Sequence, residues 1–424
     1  MTKLIVMAVA LLAMFCRSPA WAADGPADLP PADVVVRVLE GHPSVRVAEA
    51  EVRAAEAAAA QLKAGGYEFG VNLSGQRRDT AAGPAYNEWE LGIERGLRLP
   101  GKARLDARIG EQGLLAARER VADARHEAAR QLLTLWYGAR KSREEAALWR
   151  DQAALLAKQK SFVETRVKRG DAARLDLLQM ESATAQAEAQ VESAEARERL
   201  ALVELQAAFP ELPIPGDARA LPSVPEGEVA LWQTRATEHS HELAVVERER
   251  DMANFLAERA RADRVPDPTL GLRIASEQGG DDRIVGIGLS MPIPGTARSA
   301  RAAELLARAD ARAEQVAATR RRLSAGIEAA WRSAVAGVAA WQRQEEVARL
   351  ASAQAELATR ANGLGEFSLP DTLIARRAAI EAKLAAGQSR LSANEAIARL
   401  MLDAHALWPL EPEGHEAASG VPVH

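Results

Sequence analysis

The stretch Gly96–Ala103, GLRLPGKA, comes within one residue of the glycine-rich loop that cradles nucleotide phosphates, G-x-x-x-x-G-K-[ST]. That chemistry needs a hydroxyl after the lysine to hold magnesium, and Ala103 supplies none. A second stretch, IPGT at Ile293–Thr296, repeats the Pro-Gly step without the lysine. Both read as sharp exits from a strand into a helix, at Pro100-Gly101 and Pro294-Gly295. His239 and His241 stand two residues apart, so on a helix they point to different sides and cannot chelate one ion. The other histidines are scattered along the chain. Paired cysteines, H-E-x-x-H and G-x-S-x-G do not occur, so the expectation is no catalysis, no cofactor and no bound metal.

Two acids have a more regular setting. VKRGDAARLDLLQ (Val167–Gln179) and NGLGEFSLPDTLI (Asn362–Ile374) align on Gly170 and Gly365, and both read Gly, acid, four residues, Asp, any residue, Leu. The separation is 365 − 170 = 195 residues. Ser368-Leu369-Pro370-Asp371 has the form of a capping box at a helix start. Asp176, at the matching place, reads as a solvated acid in a first helical turn. Each motif is therefore expected to be a helix-to-helix turn.

The same offset brings Trp136 onto Trp331, and an offset of 194 relates LPGK to IPGT. Helices are expected to open near Val45 and Leu243, each after a histidine-containing segment. Landmarks in one order, nearly in register, describe a tandem duplication. The plan of each half is helix, two strands, long helix, turn, helix. The expected boundaries are a signal peptide over 1–22, a first repeat over 23–208, a proline-rich linker over 209–228, a second repeat over 229–407 and a disordered tail over 408–424.

The strands show period two. Tyr67, Phe69, Val71 and Leu73 share a face, as do Trp89, Leu91 and Ile93, with polar residues or glycine between them. Leu270, Leu272 and Ile274, then Val285, Ile287, Leu289, Met291 and Ile293, repeat the pattern. After each Pro-Gly comes a very long helical stretch. From Ala103 to about Arg166 there is no proline, which gives roughly 95 Å of helix. Leu148, Leu155 and Phe162 recur at spacing seven, and Val316, Ile327 and Val338 at spacing eleven. Both spacings suit helices lying side by side.

Composition narrows the class. The chain has 424 residues, 48% hydrophobic but only 4% aromatic, and its formal charge of −5 gives no footprint for nucleic acid. Lys3, the apolar run Leu4–Phe15 and Ala20-Trp21-Ala22 form a secretory signal with its cleavage site. Removing it takes away Cys16, the only cysteine, so disulfides and thiolate metal sites are excluded from the mature chain. Lipidation at Cys16 is disfavoured by the bulky Phe15 before it.

Strands of nine to eleven residues can cross a bilayer at a tilt, and apolar-out, polar-in alternation is the pattern of a membrane barrel. Four strands cannot close one, and an open edge is not tolerated in lipid. Several chains would have to share a barrel. Two surface hairpins on a soluble helical protein are the competing reading.

Over roughly Pro30–Ala406 these features in this order resemble the TolC-like outer-membrane efflux family. The length is most similar to the members that serve heavy-metal and cation pumps. The resemblance implies a mostly α fold with a small β part. Duplicated long helical hairpins would form a trimeric α-barrel, and four strands per chain would join a shared twelve-stranded transmembrane β-barrel. It implies a homotrimer in the outer membrane with a large periplasmic extension, acting as the passive exit duct of a tripartite system. The implied partners are a periplasmic adaptor and an inner-membrane pump of the RND type. Asp371, and with it Asp176, would lie at the periplasmic constriction. The family's second acid, three residues on, is missing here, since Gln179 and Ile374 stand in those places. The strand faces predict lipid-facing Phe69, Val71, Leu91, Ile93, Leu272, Ile287 and Leu289. A soluble periplasmic coiled-coil adaptor is the alternative function; a secreted enzyme has no residues behind it.

Overall fold

The computed structural model describes residues 28–79, 81 and 83–410. The signal segment and residues 411–424 lie outside the described residues. Among the described residues, eight α-helices and four strands follow in order: α1 Ala32–Glu40, α2 Pro43–Ala64, β1 Phe69–Arg78, β2 Tyr86–Gly96, α3 Pro100–Arg169, α4 Arg174–Ala208, α5 Val229–Glu238, α6 His241–Ala262, β3 Thr269–Glu277, β4 Asp282–Ser290, α7 Thr296–Gly363 and α8 Leu369–Asp403. Fold class follows the sequence: two copies of one helical plan, each with a strand pair. One difference recurs in both halves. A short helix, α1 or α5, precedes the first expected helix, because its apolar residues are needed in a core: Val35, Val38 and Leu39 from α1, Trp232 and Ala236 from α5.

The helices after the Pro-Gly steps run 70 and 68 residues, the first being about 105 Å long at 1.5 Å per residue. Gly110 and Gly113 do not interrupt α3. Gly110 is there for room: a Cβ at that position would sit 2.9 Å from the Cα of Ala59 in α2.

The chain divides into two compact units. One comprises the chain up to Val45, Ala124–His239 and the chain from Leu323 onward; the other comprises Arg46–Asp123 and Ser240–Arg322. The first unit has a core built around α3, where Leu132, Leu133, Trp136 and Tyr137 meet α1, Phe209 and Leu402. Trp408 also packs here. The expected disordered tail from residue 408 therefore begins too early, since Trp408 is an anchor of this core. A second cluster joins Trp232 to Ile327, Val338 and Leu400, with Trp331 against it.

The other unit contains one four-stranded antiparallel sheet in the order β1-β2-β3-β4. Each sequence repeat supplies one hairpin, and β2 and β3 join them. β4 stops at Ser290, so Met291 and Ile293 continue the alternation beyond the last ladder pair.

Candidate functional site: strand face, helix exits and turns

The strand register puts the alternating residues into continuous rows. Val71 pairs with Ile93, Ile93 with Leu272, and Leu272 with Ile287. The adjacent row on the same face is Leu73, Leu91, Ile274 and Val285. All seven residues singled out as lipid-facing lie on this face. Most of it is bare: Val71 is 69% and Ile287 81% exposed. An apolar surface this continuous on a monomer marks a place where something other than water belongs. The opposite face carries Gly70, Asn72, Gly92, Glu94, Gly271, Arg273, Gly286 and Gly288. Arg273 and Glu90 approach there at 3.6 Å. At the hairpin end Glu88 is buried, accepting from Gln76 at 2.8 Å and from the Gln278 amide at 3.3 Å.

A cation ends the apolar rows on the side of the helix exits. Arg95 pairs with both Phe69 and Leu270 on the apolar face. Its guanidinium lies 4.7 Å from the Phe69 ring centre and donates to the Tyr67 carbonyl. Tyr67 and Arg95 stand at the end of the ladder where the chain leaves for α3, so a cation here bounds the apolar band.

At the first exit, Pro100 occupies the first position of α3, where a missing N–H costs nothing. Pro294 and Gly295 immediately precede α7. A Cβ at Gly101 or Gly295 would meet nothing within 4 Å. Lys102 is not free to bind a phosphate. It is 2% exposed, and its Nζ lies 3.0 Å from Asp263 and 2.9 Å from Asp267 and donates to the Val265 carbonyl. Asp267 also accepts from the Tyr67 hydroxyl at 2.6 Å and from the Leu99 amide. Burial opposes ionisation of Asp267, yet these hydrogen bonds and the lysine charge hold its pKa below the ordinary value. The same hydrogen bond, with burial beside the carboxylate, pushes Tyr67 up to about 12. The near-phosphate loop is an ion-paired lock at the strand-to-helix joint.

The two turns share a backbone. Gly170 and Gly365 both have φ of +82°, a region that other residues enter at a cost of roughly 1 kcal/mol or more. The Gly170 amide donates to Val167 and the Gly365 amide to Asn362, each at 3.0 Å; the next amide reaches back to Arg166 or Ala361. Asp176 and Asp371 each stand at the third helical position. The Asp176 carboxylate accepts from the Ala173 amide at 3.3 Å. Ser368 Oγ accepts from the Asp371 amide at 3.2 Å and donates to the Asp371 carboxylate. Asp371 is exposed and Asp176 half-buried.

Charge separates the turns. Lys158, Lys160, Arg166, Lys168, Arg169 and Arg174 surround the first, and the residues 195 places later are Ala353, Ala355, Ala361, Gly363, Leu364 and Leu369. Over 158–176 the count is six cations and three acids, +3; over 353–371 it is one cation and three acids, −2.

Space also gathers histidines that the sequence scatters. The rings of His126 and His405 lie 4.9 Å apart, and those of His405 and His239 5.9 Å. His126 faces Asp403, which also accepts from Arg130 at 2.8 Å and Arg399 at 3.1 Å. Burial disfavours the charged Asp403 carboxylate, but the His126 hydrogen bond and the two arginines outweigh it and hold its pKa at about 2. His241, the other member of the sequence pair, turns to Glu119 at 3.1 Å. Among the described residues no three His, Cys, Asp or Glu side chains are grouped to hold a metal ion. None of the described helices is long and apolar enough to cross a membrane.

Residues 34–209 match the family described as outer membrane efflux protein. No curated protein sequence matches the chain. Among solved structures, a membrane protein of Pseudomonas aeruginosa superposes with a TM-score of 0.77 at 17% identity, covering 91% of this chain and 93% of that one. The outer membrane protein VceC of Vibrio cholerae gives 0.72 at 17%, covering 89% and 99%. The CmeC outer membrane channel of Campylobacter jejuni gives 0.72 at 15%, covering 90% and 86%. The chain thus carries the outer membrane efflux protein pattern over residues 34–209 and, over about nine-tenths of its length, the fold of these solved membrane proteins.

Proposed function

We propose that the protein is the passive outer-membrane exit duct of a tripartite efflux system, working as a homotrimer. The observation that carries this reading is the sheet. It has one bare apolar face and two unpaired edge strands, β1 and β4. In hydrocarbon those edges must find partners, and only other copies of the chain offer matching ones. Three copies give twelve strands, a closed barrel with the polar and glycine-rich face inward. Each copy also supplies two helical hairpins, α3–α4 and α7–α8, to a periplasmic tunnel. Its six turns would face the adaptor and the RND-type inner-membrane pump.

Transport through the duct is passive, and the pump drives it. The cargo we propose is heavy-metal cations, carried solvated through the tunnel, because a ring of carboxylates at its constriction would favour cations. Asp371, exposed and threefold in a trimer, would form a carboxylate ring at the periplasmic constriction, together with Asp176.

Cell fractionation followed by unheated and heated gel electrophoresis tests the reading. A heat-sensitive trimer in the outer-membrane fraction, conducting when reconstituted in a planar bilayer, supports it. A monomer recovered from the soluble periplasm would overturn it in favour of a coiled-coil adaptor.

A further inference from the structure

Between α4 and α8, in the first unit, lies a groove of about 730 Å³. That volume falls in the range of small-molecule sites, roughly 300–1,000 Å³. Leu156 and Trp149 of α3 and Leu373 and Ile380 of α8 give it apolar walls. Two polar groups also line it.

The first is Arg376. Its guanidinium donates to Gln159 Oε1 at 2.6 Å and to Thr359 Oγ1 at 3.1 Å, both neutral. Most arginines near it have an acid; Arg377, one residue on, pairs with Glu381 at 2.9 Å. Arg376 has no carboxylate partner among the described residues, and burial pushes its pKa down. A half-buried guanidinium held only by neutral groups has lost hydration without gaining a counter-charge. The second is Gln179, whose Oε1 is buried with no hydrogen-bond donor. An orphan acceptor is costly and is satisfied by a ligand that brings a donor.

We propose that this groove binds a monoanionic amphiphile, an organic carboxylate with an apolar body and a hydrogen-bond donor, its carboxylate on Arg376 and its donor on Gln179. The apolar body lies against Trp149 and Ile380. The occupant contacts α3, α4 and α8 at once, and so joins residues of both hairpins. Neither the cargo nor the partners of the duct enter the argument. The site stands on the cavity, the guanidinium of Arg376 without a carboxylate and the unpartnered Gln179 oxygen.

The test uses the full-length protein, purified in a non-ionic detergent, and 4′-hydroxybiphenyl-4-carboxylate as probe. Trp149 lies in the wall, so binding should quench fluorescence saturably, and Trp149→Phe should remove that quenching. Arg376→Gln should weaken the affinity at least tenfold, in line with the strength of a charge-assisted hydrogen bond. The matching carboxamide should bind wild type and Arg376→Gln alike. Gln179→Leu, which leaves the arginine intact, should weaken the hydroxylated probe but not biphenyl-4-carboxylate, and it keeps the test alive if Arg376→Gln does not fold. Unsaturable quenching, equal for carboxylate and amide, would mean partition into detergent and would overturn the proposal. Absence of any quenching would overturn it too, and would mean that the groove is closed in the assembled protein.

Discussion

An arginine at Ile287 tests the strand face most directly. β4 has nine residues, which at about 3.4 Å each and a tilt of about 40° span roughly 23 Å along the membrane normal. That nearly fills the apolar band of about 25 Å found in outer-membrane barrels. The middle residue of β4 is Gly286, so with β4 centred in such a barrel Ile287, on the bare apolar face at 81% exposure, would lie about 3 Å from the midplane. Arginine near a midplane costs about 2–4 kcal/mol, and three copies in a trimer raise this to about 6–12 kcal/mol. Such a sum is comparable to the whole stability of an ordinary domain. Ile287→Arg should therefore abolish the heat-sensitive trimer in the outer membrane. The neighbouring Gly288→Arg supplies the control, because it projects to the other face, where a Cβ meets nothing within 4 Å. That variant should assemble at wild-type yield and lower single-channel conductance. Leu289→Arg, two residues beyond Ile287 and nearer the interface, should show a defect of about 1 kcal/mol per site. Equal assembly of Ile287→Arg and Gly288→Arg would refute the assignment of faces. A stronger defect at Leu289 than at Ile287 would refute the depth argument alone.

Three further outcomes are expected. Lys102→Met leaves Asp267 buried without its cation and should cost about 3–5 kcal/mol, read as a lower urea midpoint or lost trimer; Arg104→Met, on the same helix and outside that lock, should not. Asp403 is held at about 2 in the folded chain against an ordinary value of 3.8. Its contribution, about 2 kcal/mol by linkage, is full above pH 4 and lost as pH falls through 2, so wild type and Asp403→Asn should converge in stability at low pH in acid-unfolding curves. Asp371→Asn should keep trimer yield, because Ser368 still caps α8 through the backbone, while cation selectivity in a planar bilayer falls. Unchanged selectivity would reduce Asp371 to a helix-start residue.

What the sequence made legible was local. Val71, Leu91, Leu272 and Ile287 declare a strand face because period two is written within nine residues. α3 and α7 declare themselves because proline is absent for some sixty. Gly170 and Gly365 declare turns because a positive φ restricts the residue type at one position. What stayed hidden was long-range pairing. Lys102 meets Asp267 from 165 residues away, and His126 within α3 meets His405 just past α8, which in turn meets His239 at the end of α5. No periodicity encodes those contacts. Arg95 was hidden for another reason, since a single charge in an apolar alternation looks like an exception until the register sets it beside Phe69. α1 was missed because Val34, Val35 and Val36 favour strands by themselves; burial of Val35 and Val38 in the core overrides that preference.

The duplication supplies its own control on which residues the fold needs. Both turns keep the glycine at φ +82°, the acid after it and the aspartate at the third helical position, and both keep the same backbone hydrogen bonds. All six cations of the first turn are gone from the second, and the helices on either side continue unchanged. The cations are therefore dispensable for making the turn, whereas the glycine at positive φ is common to both. Solvated charges at such a place contribute little to stability in any case. A difference of five charges between two turns of one backbone acts instead on whatever approaches them. The surroundings of the first turn must favour negative charge and those of the second must not, so any partner meeting both should bind the first in a salt-sensitive way.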